Sequence, residues 1–147
     1  KCRDFAPNGI GDVDDVVDAL VGCGHQPELA HGPRFETLVG QLFPLARVVT
    51  PNLMEAEALA GGSGTRRELA ERIHERGALA VIVTGGHGGG LVDHLFDGQE
   101  HVEIEVERHA VAATHGAGCT HSATLAALLA RGESLEDAAR GAARGSG

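Results

Sequence analysis

The sequence predicts an α/β fold built on a mainly parallel sheet with a β-hairpin toward its C-terminal side. Three observations predict it. Arg47-Val48-Val49-Thr50 is a short β-branched run that stops at Pro51, and Ala78 to Val83 is unbroken apolar, the pattern of a strand covered on both faces. Two segments of helical periodicity lie between these strands, so the order is strand, helix, helix, strand, which points to a parallel sheet. Beyond them Leu91–Phe96 and Glu100–Val106 flank Asp97-Gly98, a hairpin signal, with Val102, Ile104 and Val106 alternating.

Each element has a local reason. Asp12 to Val21 sets Val13, Val16, Val17 and Leu20 on one helical stripe, with Asp12 as N-cap and Gly22 past its end. Phe35, Leu38, Val39 and Leu42 repeat at helical spacing until Pro44. Met54 to Ala60 is rich in good helix formers and ends at Gly61-Gly62. Thr65-Arg66-Arg67-Glu68 matches a capping box, Leu69 and Ile73 line the helix it opens, and Gly77 closes it. Gly118 to Ala130 is an Ala/Leu-rich helix ended by Arg131-Gly132, Ser134 to Asp137 caps one more, and the tail from Arg144 to Gly147 is expected to fray.

Composition narrows the function. A chain of 147 residues, 42% hydrophobic, supports one domain with a core. A net charge of −9, no Tyr or Trp and only four Phe leave neither a basic footprint nor a stacking platform, so nucleic acid is not the expected partner. No apolar run approaches a membrane span, and Lys1 to Asn8 does not read as a signal peptide. Cys2, Cys23 and Cys119 are odd in number and widely spaced, which fits a reducing, cytoplasmic setting better than a disulfide scaffold.

The 22 glycines cluster in loops that could hold a ligand. In Thr114-His115-Gly116-Ala117-Gly118-Cys119-Thr120-His121-Ser122, small residues precede an apolar helix, so backbone N–H groups and the helix dipole favour an anion. Neither the dinucleotide fingerprint nor the Walker pattern is completed, and a plain glycine turn opening a tightly packed helix is the other reading. Cys119, in the first turn, gains thiolate character from the dipole and could serve as nucleophile or base, or simply as a buried small hydrophobe. Asn52 and Glu55 follow a strand and lie three apart, which suits Mg²⁺, directly or through water, and equally suits a capping box. Thr84, Gly85 and Gly86 end the buried strand, where a backbone can approach a nucleotide or merely turn. His109, His115, Cys119 and His121 fit no tetrahedral zinc template by spacing.

Three of these stretches, in order, resemble one family, the hydroxymethylpyrimidine/phosphomethylpyrimidine kinases of thiamine biosynthesis, in the ribokinase-like superfamily. Thr50-Pro51-Asn52-Leu53-Met54-Glu55-Ala56-Glu57 is similar to its Thr-Pro-Asn-Leu-Pro-Glu-Ala-Glu block. Val81 to His87 resembles its strand ending in Lys-Gly-Gly-His, with Thr84 in place of the Lys, and Phe96-Asp97-Gly98 its Tyr-Asp-Gly hairpin. His115 to Ala123 resembles its His-Gly-Thr-Gly-Cys-Thr-Leu-Ser-Ala signature, with His121 in place of the Leu.

The resemblance runs from about Phe43 to Gly141, and residues 1–32 read as an unmatched leader before a C-terminal portion, 33–147, of a ribokinase-like kinase domain. It implies a partial three-layer α/β/α sandwich and an ATP-dependent phosphotransferase using Mg²⁺. Gly116, Ala117 and Gly118 would form the anion hole, Cys119 the base, Thr84, Gly85 and Gly86 the nucleotide loop, and Asn52 and Glu55 the Mg²⁺ ligands. The implied substrate is hydroxymethylpyrimidine or its phosphate. A pyridoxal kinase of the same subgroup and an inactive fragment that keeps its phosphate turn are the alternatives. A partial sheet also leaves an edge open to self-association, which allows a homo-oligomer.

Overall fold

The structure, a computed structural model, describes residues 38–85, 92–106 and 117–145, with the backbone alone at 38 and 117–119. The expected helix over Asp12–Val21 and the leader lie outside the described residues.

Helix α1 (Leu53–Ala60) starts at Asn52 and ends at Gly61, whose φ of 76° is the left-handed cap that a side chain would strain. Helix α2 (Arg66–Glu75) starts at Thr65, whose hydroxyl accepts from Glu68 N–H while Glu68 Oε2 accepts from Thr65 N–H. This is the capping box expected from the sequence. Strands β1 (Val81–Val83), β2 (Val92–Phe96) and β3 (His101–Glu105) follow. Helix α3 (Ala117–Ala130) and helix α4 (Leu135–Gly145) complete the described residues. Ser134 caps α4, its Oγ accepting from Asp137 N–H.

The sheet corrects one expectation. Among the described residues it is antiparallel, in the order β1-β2-β3, with Val81 opposite Phe96 and Phe96 opposite His101. The parallel partner survives only as bridges joining Val49 to Val81 and Asn52 to Thr84. It forms no longer ladder because Pro51 has no N–H to give and Asn52 is already the helix cap. Pro51 still accepts from Thr84 N–H through its carbonyl, at 2.9 Å.

Two further expectations shift. The helical repeat ending at Leu42 becomes a π-type turn at Leu38–Leu42, which seats Val39 and Phe43 in the core. Helix α4 runs through Arg144 to Gly145 with Ala142 and Ala143 buried beneath it, and Ser146 and Gly147, the rest of the tail expected to fray, lie outside the described residues.

The sheet separates two cores. Val49, Val81, Val83 and Phe96 pack under α1 and α2 with Leu59, Leu69 and Ile73. Val48, Ile82, Leu95 and Ile104 pack on the opposite face with Leu125 and Leu129 of α3 and Ala138 and Ala142 of α4. The alternation of Val81, Ile82 and Val83 between the clusters explains why that run is apolar throughout. Helices therefore cover both faces, giving three layers. Among the described residues no helix is long and apolar enough to cross a membrane.

Candidate functional site

Strand β1 and its parallel neighbour at 49–52 end together, and the opening of α3 is fastened beside them. Val48 and Thr50 face the α3 side of the sheet, so the Thr50 hydroxyl meets Ser122 Oγ at 3.1 Å in a buried contact. Asp93 shares its face of β2 with Leu95 and points the same way. Asp93 Oδ1 accepts from the Gly85 N–H at 2.7 Å, and Oδ2 lies 3.1 Å from His121 Nε2. Both side chains are 4% exposed. The Asp93–His121 contact has ion-pair distance without the alignment of a hydrogen bond, and neither ring nitrogen of His121 has a hydrogen-bond partner among the described residues.

These links bring most of the sequence-predicted positions into one neighbourhood. Ala117, Gly118 and Cys119 form the first turn of α3. Thr84 and Gly85 follow β1, and Asn52 bridges to Thr84. Gly86 and Gly116 lie outside the described residues, as does the Cys119 side chain. The Gly85 N–H is already committed to Asp93, so it is an anchor for the loop rather than a free donor.

Asn52 and Glu55 take the capping-box arrangement. Asn52 Oδ1 accepts from Glu55 N–H at 2.9 Å, and Glu55 Oε2 accepts from Asn52 N–H at 3.0 Å. Burial still pushes the half-buried Glu55 carboxyl above its ordinary range, outweighing the hydrogen bonds from Asn52 that lower it. A desolvated carboxylate beside an amide oxygen is a donor set of hard oxygens, which fits Mg²⁺. Among the described residues no three His, Cys, Asp or Glu converge as a metal cage.

The helix openings differ in charge. The first turns of α1, α2 and α4 carry Glu55, Glu68, and Glu136 with Asp137, whereas that of α3 has no acid. A helix N-terminus carries partial positive charge, and in α3 no first-turn acid offsets it.

Comparison with known proteins decides the family. Residues 11–145 match the family described as phosphomethylpyrimidine kinase. The chain belongs to the phosphomethylpyrimidine kinase family. The match starts at residue 11, well upstream of the first readable motif. A pyridoxine kinase of Bacillus subtilis is 39% identical over 133 residues, covering 84% of this chain and 48% of that enzyme. A hydroxymethylpyrimidine/phosphomethylpyrimidine kinase of Rhizobium meliloti is 40% identical over 130 residues, covering 84% and 49%. The ADP complex of B. subtilis pyridoxal kinase superposes with a TM-score of 0.67 at 40% identity, over 79% of this chain and 45% of that one. Staphylococcus aureus pyridoxal kinase with AMP-PCP and pyridoxal gives 0.68 at 33% identity, over 76% and 45%. The chain thus spans about half the length of the curated relatives it matches.

The residue that sequence reasoning missed is Asp93. Its signal was an acid at an inward strand position, two residues before buried Leu95, where an apolar side chain is the default. Thr50, His121 and Ser122 sat inside quoted motifs without a role, and the structure gives each a buried partner.

Proposed function

We propose that this chain carries the phosphate-handling part of an ATP-dependent kinase whose acceptor is a heteroaromatic hydroxymethyl compound, hydroxymethylpyrimidine or its monophosphate. One observation carries the reading. The acid-free opening of α3 is tied through Ser122 and His121 to the ends of the strands that bear Asn52 and Thr84. In open α/β folds ligands gather at strand ends, and phosphates at helix N-termini.

In this reading Gly116, Ala117 and Gly118 offer backbone N–H groups to the transferring phosphoryl, and the dipole of α3 favours its developing charge. Cys119 Sγ takes the proton of the acceptor hydroxyl, its thiolate favoured by the same helix end. Thr84, Gly85 and Gly86 shape the nucleotide side, with Gly85 held in place by Asp93. Asn52 and Glu55 would hold Mg²⁺, directly or through water, and the ion would supply charge neutralisation at the phosphates.

A second acceptor, pyridoxal, is favoured by the superposition on the S. aureus enzyme bound to AMP-PCP and pyridoxal. The test is ATP consumption and product formation by the 147-residue chain, run in parallel on hydroxymethylpyrimidine, its phosphate and pyridoxal. The larger kcat/KM assigns the acceptor. Cys119→Ala is expected to lose at least about a hundredfold in kcat while melting as the wild type does. Unchanged turnover in that variant discards Cys119 as the base. No turnover of any alcohol by the wild type, with nucleotide still bound, leaves a phosphate-binding remnant.

A further inference from the structure

We infer that Asp93 and His121 are positioning residues for the transfer step: a buried carboxylate–imidazole couple that clamps the strand end at Thr84–Gly85 to the opening of α3. The inference rests on the kinase reading above and adds to it two residues that touch no substrate.

Asp93 is 3% exposed, on a strand face whose next inward residue, Leu95, belongs to an apolar core. A carboxylate there is unfavourable unless both oxygens are answered. One oxygen accepts from Gly85 N–H at 2.7 Å after β1, and the other lies 3.1 Å from His121 Nε2 on α3, at ion-pair distance without hydrogen-bond alignment. One side chain on β2 therefore sets the distance between the proposed nucleotide loop and the proposed anion hole. His121 is itself 3% exposed.

The next residue, Ser122, meets Thr50 at 3.1 Å, on the segment bridged to β1. Adjacent residues of α3 are thus tied to different segments, which restrains both the rotation and the advance of the helix. Transfer depends on placing donors to within a fraction of an ångström, and an error near 1 Å costs about a hundredfold. A couple of this kind acts on kcat more than on ground-state affinity.

The experiment compares the full chain with His121→Leu, His121→Gln, Asp93→Asn and the His121→Leu/Asp93→Asn double variant, using ATP and the better acceptor. Loss of the clamp predicts that kcat falls at least about tenfold in His121→Leu and Asp93→Asn, with KM for ATP within about threefold. His121→Gln, whose amide still reaches the carboxylate, retains kcat within about threefold, and the double variant falls no further than the worse single. Wild-type kcat in His121→Leu, single losses that multiply in the double variant, or failure of His121→Gln to rescue would overturn the inference.

Hydrogen exchange of the Gly85 amide, followed without substrate, separates the two readings. His121→Leu is expected to speed it by about tenfold or more, because Asp93 is no longer held against that N–H. A wild type without turnover removes the kinase reading and the transfer role with it, and the Gly85 rate then reports on the clamp alone. An active wild type with unaltered Gly85 exchange in His121→Leu removes the clamp and leaves the kinase reading standing.

Discussion

Replacing Asn52 separates two jobs that one side chain can hold. Its Oδ1 accepts from Glu55 N–H at 2.9 Å, and the return bond from Asn52 N–H to Glu55 Oε2 measures 3.0 Å. Asn52→Ala removes the acceptor at the start of an eight-residue helix and releases the Glu55 arm. Loss of an N-cap costs about 1 kcal/mol, which for a domain of this size lowers the melting temperature by roughly 2–4 °C. Asn52→Ser keeps a good capping oxygen and should melt within about 1 °C of the wild type. The serine oxygen does not extend as far as the amide oxygen, so an ion held there loses a ligand. The Mg²⁺-dependent part of nucleotide affinity then falls about tenfold, or 1.4 kcal/mol. Thermal unfolding and calorimetric titration with a non-hydrolysable ATP analogue, with and without Mg²⁺, read the two effects apart. Wild-type affinity in Asn52→Ser would show that the residue only caps a helix, and an unshifted melt in Asn52→Ala would refute the value given to the cap.

Other perturbations test the scaffold. His94 is buried, and burial together with neighbouring His101 holds its pKa below the ordinary 6.5. Between the lowered value and 6.5 the unfolded chain binds more protons than the folded one, so stability rises with pH through that window, falls on acidification through it, and levels off below it. The melting temperature should therefore drop between about pH 7.5 and pH 5.5, and His94→Gln should flatten that slope; equal slopes in the two proteins would contradict the assignment. Gly98, in the hairpin connection, has φ 93°, and a Cβ there would lie 2.9 Å from the His74 ring. Gly98→Ala should cost about 1–2 kcal/mol in chemical denaturation, and a neutral result would mean that the turn relaxes freely.

Much of the architecture was legible because local rules and tertiary packing agree. Thr65 and Ser134 are followed three residues later by Glu68 and Asp137, and both helices start there. The apolar run around Ile82 is buried on both faces, as its lack of alternation implied. Asp97-Gly98 turned the chain, with Asp97 Oδ1 accepting from the Gln99 and Glu100 N–H groups. The parallel ladder was overestimated because β-branched residues mark a strand without fixing how many hydrogen bonds it keeps. A proline and a helix cap consumed the end of that one.

The candidate site was legible as motifs, not as a geometry. The pairing of Asn52 with Glu55 could be read as a cap or as ligands, and spacing alone does not separate the two. Asp93 and His121 lie 28 positions apart on different elements, and only the fold makes them neighbours. No local periodicity carries that information.

The most direct test follows backbone amides of the isotopically labelled chain by NMR during titration with the Mg²⁺ complex of a non-hydrolysable ATP analogue. The account predicts saturable shifts concentrated at Ala117, Gly118 and Cys119 and at Thr84 and Gly85. Saturation that leaves those amides unmoved while others respond, or no saturable shift at all, would contradict a phosphate site at the opening of α3.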